Sequence, residues 1–492
     1  MIRAADGRDV WVPDTTVDIL LRAVRERPDA TALRFEGQTL TYRDYAAAVA
    51  GLARRLIIAG AVDRTVAIIL PNGFNMCIAV FAAHAAGATA CPLNPDYTAA
   101  ELAPMFADAR PVITLTDTSC VYRLTGLLAG DIWLDLSAPP AALDSLPPPD
   151  PGTIATIQFT GGTTGRSKGV QLSHAAIATN VAQREAVLPT EFGDERVVSA
   201  MPLYHSFATA MGLHLATYAA GELTVLPRYR PDWLLDAIEA TRATRLPAGP
   251  TMFNSLLQYE GLACERVGGL RCAYSGSAPL PQVTLERWEA LTGVPIYEGY
   301  GQSEAGPVLT YHGPGMTLKQ GAVGPALPLT ELRILDGEVV ARGPQIMTGY
   351  LDQPEATAEA LRDGWLHTGD MGRLDADGYL FIEDRKKDMA IVGGYNVYPR
   401  EIDEVLVTCP GVREAAAVGM PDSYRGEVIW AFVSSEADEA VLRAHCAERL
   451  VKYKHPSVFR FVNSLPRTPV GKVDKQALKR WACDETETCH VA

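Results

Sequence analysis

The sequence predicts an α/β protein, in which a large amino-terminal domain of layered mixed or parallel β-sheets with helices precedes a small α+β carboxy-terminal domain. Three observations lead to this prediction. Short β-rich apolar runs alternate with helical patterns before residue 383. The length of 492 residues exceeds what a single hydrophobic core normally organises. The charged run EDRKKD at 383–388 interrupts the pattern, and a compact set of strands and helices follows it.

The first elements of the large domain show the alternation clearly. We expect a strand at 65–70, a turn at Pro-Asn-Gly, a helix at 74–86 that Gly87 ends, and a strand at 88–92. Strand signals recur at 111–116, 154–159, 223–227 and 271–274. Strands that alternate with helices in this way form parallel sheets covered by helices. The proline-rich segment 138–152 is predicted to be a surface connector.

The carboxy-terminal region has its own pattern. It predicts strands at 390–392, 414–419 and 429–434 and helices at 399–408 and 438–449. About a hundred residues suffice for an independent small domain. The polar end, 482–492, is predicted to fray.

Composition and charge exclude several classes of function. The net charge of −14 argues against a nucleic-acid or anionic-membrane partner. Nine scattered cysteines without a CxxC pair suit a reducing compartment and predict neither a disulfide framework nor a zinc site. The longest apolar run, 77–91, is shorter than the roughly 18 residues of a membrane span. With no signal-like start, the sequence predicts a cytoplasmic protein without a transmembrane segment.

The segment FTGGTTGRSKGV at 159–170 is the strongest local signal of function. It holds four glycines, three threonines, one serine and Lys168. Glycines let a backbone curl around an anion and direct its N–H groups at it, while hydroxyls and an ammonium add donors and charge. The spacing differs from that of the usual P-loop. The segment therefore favours a polyphosphate-binding loop over an ordinary flexible one.

Further unusual segments follow in order along the chain. They are SGSAP (275–279), YGQSE (300–304), WLHTGD (365–370), DRKKD (384–388), GGYNVYP (393–399) and PRTPVGK (466–472). Together with the 159–170 segment, this series resembles the adenylate-forming superfamily of acyl-CoA synthetases, peptide-synthetase adenylation domains and luciferases. The resemblance covers nearly the whole chain.

The resemblance implies an acid–thiol ligase that forms acyl-AMP from an acid and ATP, releases pyrophosphate and then makes a thioester. ATP, Mg²⁺ and coenzyme A are the implied cofactors. It also implies a small β subdomain and a mobile second domain, with the chain divided into 1–386 and 387–492. Catalysis is assigned to Lys472, His205, Thr163 and Glu304, with Glu304 also the Mg²⁺ ligand. Two anions must meet in the adenylation step, so positive charge and N–H donors have to offset their repulsion.

The implied ATP and AMP site draws on all of these turns. Asp370 suits the ribose hydroxyls because a carboxylate accepts two hydrogen bonds, and Tyr300 offers a ring face for the base. The full set is Thr160, Gly161, Gly162, Thr163, Thr164, Gly165, Lys168, Ser275, Gly276, Ser277, Ala278, Pro279, Gly299, Tyr300, Gly301, Gln302, Ser303, Asp370, Ile382, Arg385 and Lys472.

The acid pocket and the domain hinge are also implied by the resemblance. The segment PLYHSF at 202–207 matches the part that lines the pocket and gates it with a histidine. The predicted pocket residues are His205, Phe207, Met211, Gly249, Met252, Gly276, Pro307 and Val308. Lys387 matches the hinge, and Gly393, Gly394 and Tyr395 match the wall of a narrow pantetheine tunnel.

The identity of the acid and of the acceptor stays open at this point. No acidic residue follows His205 before Glu222, so an α-amino acid is disfavoured because its buried ammonium would lack a partner. A fatty acid and an aryl acid both fit the apolar candidates. The acceptor is CoA or, alternatively, the phosphopantetheine of an acyl carrier protein. Monomer and homodimer are both open. A non-catalytic relative is disfavoured because Lys168, Glu304, Asp370, Arg385 and Lys472 are all present.

Overall fold

The computed structural model describes residues 1–4, 6–121, 131–160, 167–385, 388–392, 395–422, 425–468 and 471–485. Residues 385, 395, 396, 484 and 485 are described by their backbone alone. Four sheets of five or more strands organise these residues, together with a small hairpin of Ile2–Arg3 and Asp9–Val10.

The first sheet has seven strands and contains the end of the predicted phosphate loop. Its spatial order is Gly349–Tyr350, Lys168–Ser173, Ile154–Thr160, Thr89–Pro92, Thr65–Ile69, Ile113–Thr116 and Asp131–Trp133. The last five strands are parallel, and the first two pair antiparallel at the edge.

The second sheet has eight strands, of which the six central ones are parallel. Antiparallel strands close both edges. The order is Thr310–Tyr311, Ile296–Tyr300, Cys272–Ser275, Arg245–Ala248, Arg196–Ser199, Glu222–Val225, Thr31–Phe35 and Gln38–Thr41. Ligands in such sheets bind beyond the carboxyl ends of the parallel strands, and the predicted turns at 275–279 and 300–304 lie at those ends.

Two further sheets complete the molecule. The third is antiparallel, with strands Ala322–Pro325, Tyr379–Arg385, Trp365–Leu374, Glu338–Arg342 and Glu331–Leu335, and with Leu361–Arg362 beside Trp365–Leu374. It forms the predicted small β subdomain. The fourth belongs to the carboxy-terminal domain and contains Tyr395–Val397, Ala390–Val392, Gly426–Ser435, Val412–Asp422 and Val458–Phe461.

Helices cover the sheets. The α-helices are Thr16–Glu26, Tyr42–Ile58, Phe74–Ala85, Ala99–Ala109, His174–Val187, Ser206–Ala208, Leu215–Tyr218, Pro231–Thr241, Pro250–Gln258, Cys264–Val267, Gln282–Thr292, Pro354–Ala360, Pro399–Val407, Glu439–Arg449 and Lys475–Glu485. A π-helical turn covers Thr209–His214, and 3₁₀ turns cover Leu143–Ser145, Ser303–Ala305 and Lys452–Lys454. Within the described residues, none of the helices has both the length and the apolar character needed to cross a membrane.

The core explains why helix Phe74–Ala85 is apolar on every side. This helix packs against Tyr42–Ile58, and Tyr45 donates a hydrogen bond from its hydroxyl to the Cys77 carbonyl at 3.0 Å. Its one polar residue in the core, His84, bonds to the Thr16 and Thr156 hydroxyls at 2.9 and 3.1 Å. A helix that is apolar all round belongs in the interior of a large protein. The predicted helix at 74–86 and its burial are thereby confirmed.

The segment 138–152 differs in one respect from the predicted surface connector. It includes the 3₁₀ turn Leu143–Ser145, and Leu143 is only 5% exposed. A Cβ at Gly51 would lie 2.5 Å from the Pro139 carbonyl oxygen, so the segment rests directly on helix Tyr42–Ile58. The prolines disfavour regular structure but do not prevent burial.

Candidate active site

The predicted phosphate-binding lysine and the predicted metal ligand meet on one tyrosine. Lys168 begins the second strand of the first sheet, next to the edge strand Gly349–Tyr350, and its ammonium lies 4.8 Å from the centre of the Tyr350 ring. The Tyr350 hydroxyl donates a hydrogen bond to Glu304 Oε1 at 2.9 Å. Strand pairing fixes this arrangement, because Tyr350 is the partner of Val170 and the Met347 N–H bonds to the Glu304 carbonyl at 2.8 Å.

The carboxylate of Glu304 is suited to a hard cation. Glu304 is partly exposed, and its Oε2 makes no hydrogen bond to any residue that the structure describes. Mg²⁺ prefers carboxylate oxygens together with substrate phosphates. One carboxylate oxygen is therefore oriented by Tyr350, and the other is available as a ligand.

The predicted nucleoside residues converge on a second tyrosine. The Tyr300 hydroxyl donates to Asp370 Oδ2 at 2.6 Å, which joins the end of the second sheet to the third. Asp370 is only 4% exposed, and its backbone pairs with that of Arg385. We predicted a stacking role for the Tyr300 ring; the structure adds a hydrogen bond that orients the carboxylate.

The turns at the ends of the second sheet are closely packed. A Cβ at Gly301 would overlap the Pro307 carbonyl oxygen, so only glycine fits there. Ser275 Oγ is buried and hydrogen-bonds to no described residue. Ser303 Oγ lies 3.3 Å from Ser206 Oγ, which connects this turn to the predicted acid pocket.

Lys472 of the carboxy-terminal domain lies close enough to His205 of the amino-terminal domain to affect its titration. Burial, followed by the positive charge of Lys472, lowers the pKa of His205 to about 4, so this ring is neutral at pH 7. His205 Nδ1 accepts a hydrogen bond from the Phe207 N–H at 3.3 Å. Thr468 anchors the backbone of Lys472, since its N–H bonds to the Lys472 carbonyl at 2.7 Å.

The carboxy-terminal domain docks beside this site through the start of helix Pro399–Val407. The Arg400 N–H bonds to Asp384 Oδ2 at 2.9 Å, and its Nη1 bonds to the Ile382 carbonyl at 2.7 Å. Lys475 forms an ion pair with Asp403 at 3.0 Å. Ile382, which we predicted at the nucleotide, thus also anchors the second domain.

The predicted acid pocket is closed by its own side chains. Phe207, Met211, Met252 and Val308 are 7%, 1%, 8% and 5% exposed. A Cβ at Gly276 would lie 2.6 Å from Phe207 Cε2, so the Phe207 ring covers this glycine. At Gly249, by contrast, a Cβ would meet no atom within 4 Å.

Several predicted residues cannot be placed. Gly161, Gly162, Thr163, Thr164, Gly165, Lys387, Gly393 and Gly394 lie outside the described residues. Thr160 is described, and its hydroxyl is 3.4 Å from the Lys168 carbonyl. For Arg385 and Tyr395 the backbone alone is described.

Sequence reasoning missed three residues that the structure brings to the site. Tyr350 stands in a Gly-Tyr pair before the helix Pro354–Ala360, a turn signal that was available but unused. Arg400 follows a proline at the start of a helix. Arg184 occurs in the segment QREAV, whose polar residues predict an exposed helix face, yet the Arg184 side chain is only 4% exposed.

Comparison with known proteins places this geometry in context. The model of the AMP-binding enzyme family matches residues 20–351, and the model of the AMP-binding enzyme C-terminal domain matches 401–472. A long-chain-fatty-acid–CoA ligase of Bacillus subtilis (strain 168) is 33% identical over 98% of this chain and 96% of its own length. A 3-[(3aS,4S,7aS)-7a-methyl-1,5-dioxo-octahydro-1H-inden-4-yl]propanoyl:CoA ligase of Mycobacterium tuberculosis is 38% identical over 93% of this chain and 97% of its own length.

One solved relative distinguishes two states. MatB from Rhodopseudomonas palustris with ATP bound superimposes with a TM-score of 0.88, at 32% identity over 95% of this chain and 99% of that one. The apo structure of MatB, at 32% identity over 96% of this chain and 99% of that one, superimposes with a TM-score of only 0.77. The arrangement of this chain is therefore more similar to the ATP-bound form.

Proposed function

This chain belongs to the AMP-binding enzymes and is an ATP-dependent acid–CoA ligase that works through an acyl adenylate, and we propose that Lys472 and His205 form its adenylation centre. The observation that carries this assignment is the effect of the Lys472 charge on His205, since these residues come from different domains. The greater similarity to ATP-bound MatB supports it. We assign residues 1–386 to the acid- and ATP-binding domain and 387–492 to the mobile domain.

In the first half-reaction, an oxygen of the acid carboxylate attacks the α-phosphorus of ATP. The bond to the β-phosphate oxygen breaks, and pyrophosphate leaves. Lys472 binds both reacting anions and offsets their repulsion, which is the largest electrostatic obstacle to the step. A neutral His205 adds no charge at the pocket entrance but can donate or accept one hydrogen bond that orients the carboxylate.

The remaining parts of the ATP have separate binding residues. Lys168 binds the β- and γ-phosphates together with Thr160 and the segment 161–165. Tyr350 contacts both Lys168 and Glu304 and so fixes their positions relative to each other. Asp370 accepts hydrogen bonds from the ribose while Tyr300 holds its carboxylate. Glu304 would hold Mg²⁺ with its Oε2, and the bound cation would neutralise charge on the phosphates.

The second half-reaction needs another arrangement of the same residues. The CoA sulfur attacks the carbonyl carbon of the acyl adenylate, the thiol proton is released, and AMP leaves. We propose that rotation about Lys387 withdraws Lys472 and brings the 393–395 turn to the tunnel that admits pantetheine. The Arg400 contacts with Ile382 and Asp384 then have to break, because they join the two domains in the present orientation.

We propose an apolar carboxylic acid as the substrate, with a fatty or ring-bearing body. The buried side chains at the predicted pocket are aromatic, aliphatic or thioether, and none of them is acidic. The relatives named above act on a long-chain fatty acid and on a propanoate that carries a fused dioxo ring system. Both acids combine a carboxylate with a large apolar body.

Pyrophosphate release across a panel of acids tests this proposal. The panel contains octanoate, decanoate, dodecanoate, 3-phenylpropanoate and cinnamate, with glycine and phenylalanine as amino-acid controls. We expect release with at least one fatty or aryl acid, with thioester formation when CoA is added. Release without CoA consumption but with transfer to a phosphopantetheinylated carrier protein would instead identify a carrier as the acceptor. No ATP consumption with any acid would contradict the proposal.

A further inference from the structure

Arg184 is a buried cation that the adenylation chemistry does not use. It lies on helix His174–Val187 and is 4% exposed. Within 4 Å it forms no ion pair with any carboxylate that the structure describes. The other buried arginine of this region, Arg245, is paired with Glu195 at 3.0 Å. An unpaired buried charge is costly unless another group compensates it.

The hydrogen bonds of Arg184 satisfy only part of its guanidinium. Nε donates to the Asn180 carbonyl at 3.2 Å, and Nη1 donates to the Ala210 carbonyl at 2.7 Å and to Met211 Sδ at 3.1 Å. Nη2 donates to none of the described residues. A guanidinium carries five N–H donors, and a thioether sulfur is a weak acceptor. Burial lowers the pKa of Arg184 to about 10, yet the group remains charged at pH 7.

Two other unsatisfied polar atoms lie within the electrostatic range of this cation. His214 Nε2 and the Tyr311 hydroxyl are buried and lack hydrogen-bond partners among the described residues. Burial lowers the pKa of His214 and raises that of Tyr311, and both side chains are near enough to Arg184 for its positive charge to act to lower each pKa as well. Buried polar groups in folded proteins are normally paired. Three incompletely paired groups that influence one another electrostatically therefore indicate a missing polar partner.

The position of this cluster connects it with the acid pocket. Met211, whose sulfur Arg184 contacts, is a predicted pocket residue on the π-helical turn Thr209–His214. Methionine is flexible, so its sulfur can move aside for a stronger acceptor. The cluster thus adjoins a residue of the predicted pocket wall.

We propose that the inner end of the acid pocket recognises a hydrogen-bond acceptor at the far end of the substrate, a ketone or carboxylate oxygen, through the Arg184 guanidinium. This inference rests on the proposed function of the same pocket. The substrate oxygen replaces Met211 Sδ on Nη1 or occupies Nη2, and it compensates the buried charge. The preferred substrate is then an acid with a remote oxygen rather than a plain alkyl acid of the same length.

Matched acid pairs test the proposal. We would measure kcat/KM for pyrophosphate release with octanoate, decanoate and dodecanoate, and compare each with its 7-oxo, 9-oxo or 11-oxo derivative and with the α,ω-dioic acid. Hydrogen bonds to a charged donor give about tenfold discrimination or more. We therefore expect at least one oxo acid or dioic acid to exceed its parent by about tenfold. A preference for the oxo acids would indicate a neutral ketone acceptor, and a preference for the dioic acids would indicate an anionic carboxylate acceptor.

Variants separate recognition from a structural role. Arg184→Met should bring the oxo-to-parent ratio to about one, and Arg184→Lys should retain an intermediate ratio because it keeps the charge but loses the fork. Gln183→Met on the same helix is the control: Gln183 is buried and bonds to Pro328 and Gln345, so its loss should lower kcat/KM equally for all acids.

The results that would overturn this inference differ from those that would overturn the proposed function. Turnover of parent acids without any preference for an oxo or dioic acid would overturn the inference alone, as would a ratio that survives in Arg184→Met. No turnover with any acid would overturn the proposed function. If Arg184→Met does not fold, the wild-type preference and the Arg184→Lys ratio decide.

Discussion

At the ATP end of the site, the residues that we assign to binding lie in strands or in the turns beside them, and they meet through short polar contacts. Tyr350 bonds to Glu304 at 2.9 Å, and Tyr300 bonds to Asp370 at 2.6 Å. At the acid end, Phe207, Met211 and Met252 lie in helical segments, and the contacts are made by packing, as Phe207 packs on Gly276. From this difference we infer that strands and the turns beside them position the residues of the shared chemistry, whereas the packing of helical side chains shapes the acid end.

Lys472 provides the strongest test of this comparison, because it should act on the reaction common to all acids. We expect Lys472→Ala to lower ATP–pyrophosphate exchange by about a thousandfold, the scale of losing a key electrostatic contact in the transition state. The loss should be equal for every acid. Thioester formation from supplied acyl-AMP should survive, since the proposed rotation withdraws Lys472 from that step.

Lys452→Ala is the matched control for that experiment. Lys452 is an exposed lysine of the same domain, and its removal should leave both half-reactions unchanged. Equal loss of both half-reactions in Lys472→Ala would contradict the two-orientation mechanism. A loss that varies strongly among acids would contradict the division between the two ends.

Most of the fold follows from local patterns. The strand at 65–70 and the helix at 74–86 were predicted to within a residue of their bounds, because turns and glycine mark their ends. The π-helical turn Thr209–His214 was not predicted, since its pattern is that of any apolar helix.

The residues assigned to the ATP end are easier to recognise in the sequence than the surroundings of the acid end. Glu304 and Asp370 stand in short motifs, whereas the contact of Arg184 with Met211 depends on the packing of two helices that are distant in the chain. No local pattern records that contact.

The helix that carries Arg184 should be destabilised at low pH. The Thr16 hydroxyl lies 2.9 Å from Nδ1 of both His84 and His174, so it donates to one ring and accepts from the other. His174 begins the helix that carries Arg184, and burial lowers its pKa from 6.5 to about 4. Between these values the unfolded chain binds the proton and the folded chain does not. Stability therefore falls as pH drops from 6.5 towards 4, by about 3 kcal/mol for this group.

The variant His174→Gln separates the contribution of His174 to the pH dependence of stability from contributions of opposite sign. Burial raises the pKa of Glu298 to about 7 and that of Asp403 to about 6, and these groups stabilise the fold as pH falls through the same range. We therefore expect His174→Gln to reduce the difference between urea midpoints at pH 7 and pH 5 relative to wild type. An unchanged pH dependence would show that His174 titrates normally.

The two tyrosines test whether the ATP end is organised as its contacts suggest. Tyr350→Phe removes the donor to Glu304 but keeps the ring beside Lys168, so we expect about a tenfold loss of kcat/KM for MgATP and a higher Mg²⁺ requirement. Tyr300→Phe should raise the KM for ATP without changing the Mg²⁺ requirement, because its hydroxyl contacts Asp370. A Mg²⁺ titration of both variants distinguishes them, and identical shifts would contradict separate roles.

Two glycines give the smallest and most specific test of the acid end. Gly276→Ala would place a methyl group 2.6 Å from Phe207 Cε2, so the ring must shift, at a cost of about 1 kcal/mol in stability. Gly249→Ala adds a methyl group that meets no atom within 4 Å, in an extended conformation with φ −91° that alanine adopts without strain. Thermal melting should therefore separate the two variants. If Phe207 gates the pocket, Gly276→Ala should also change the ratio of kcat/KM between octanoate and dodecanoate. An unchanged ratio in both variants would mean that the acid enters along another wall, and that packing at Phe207 serves only the core.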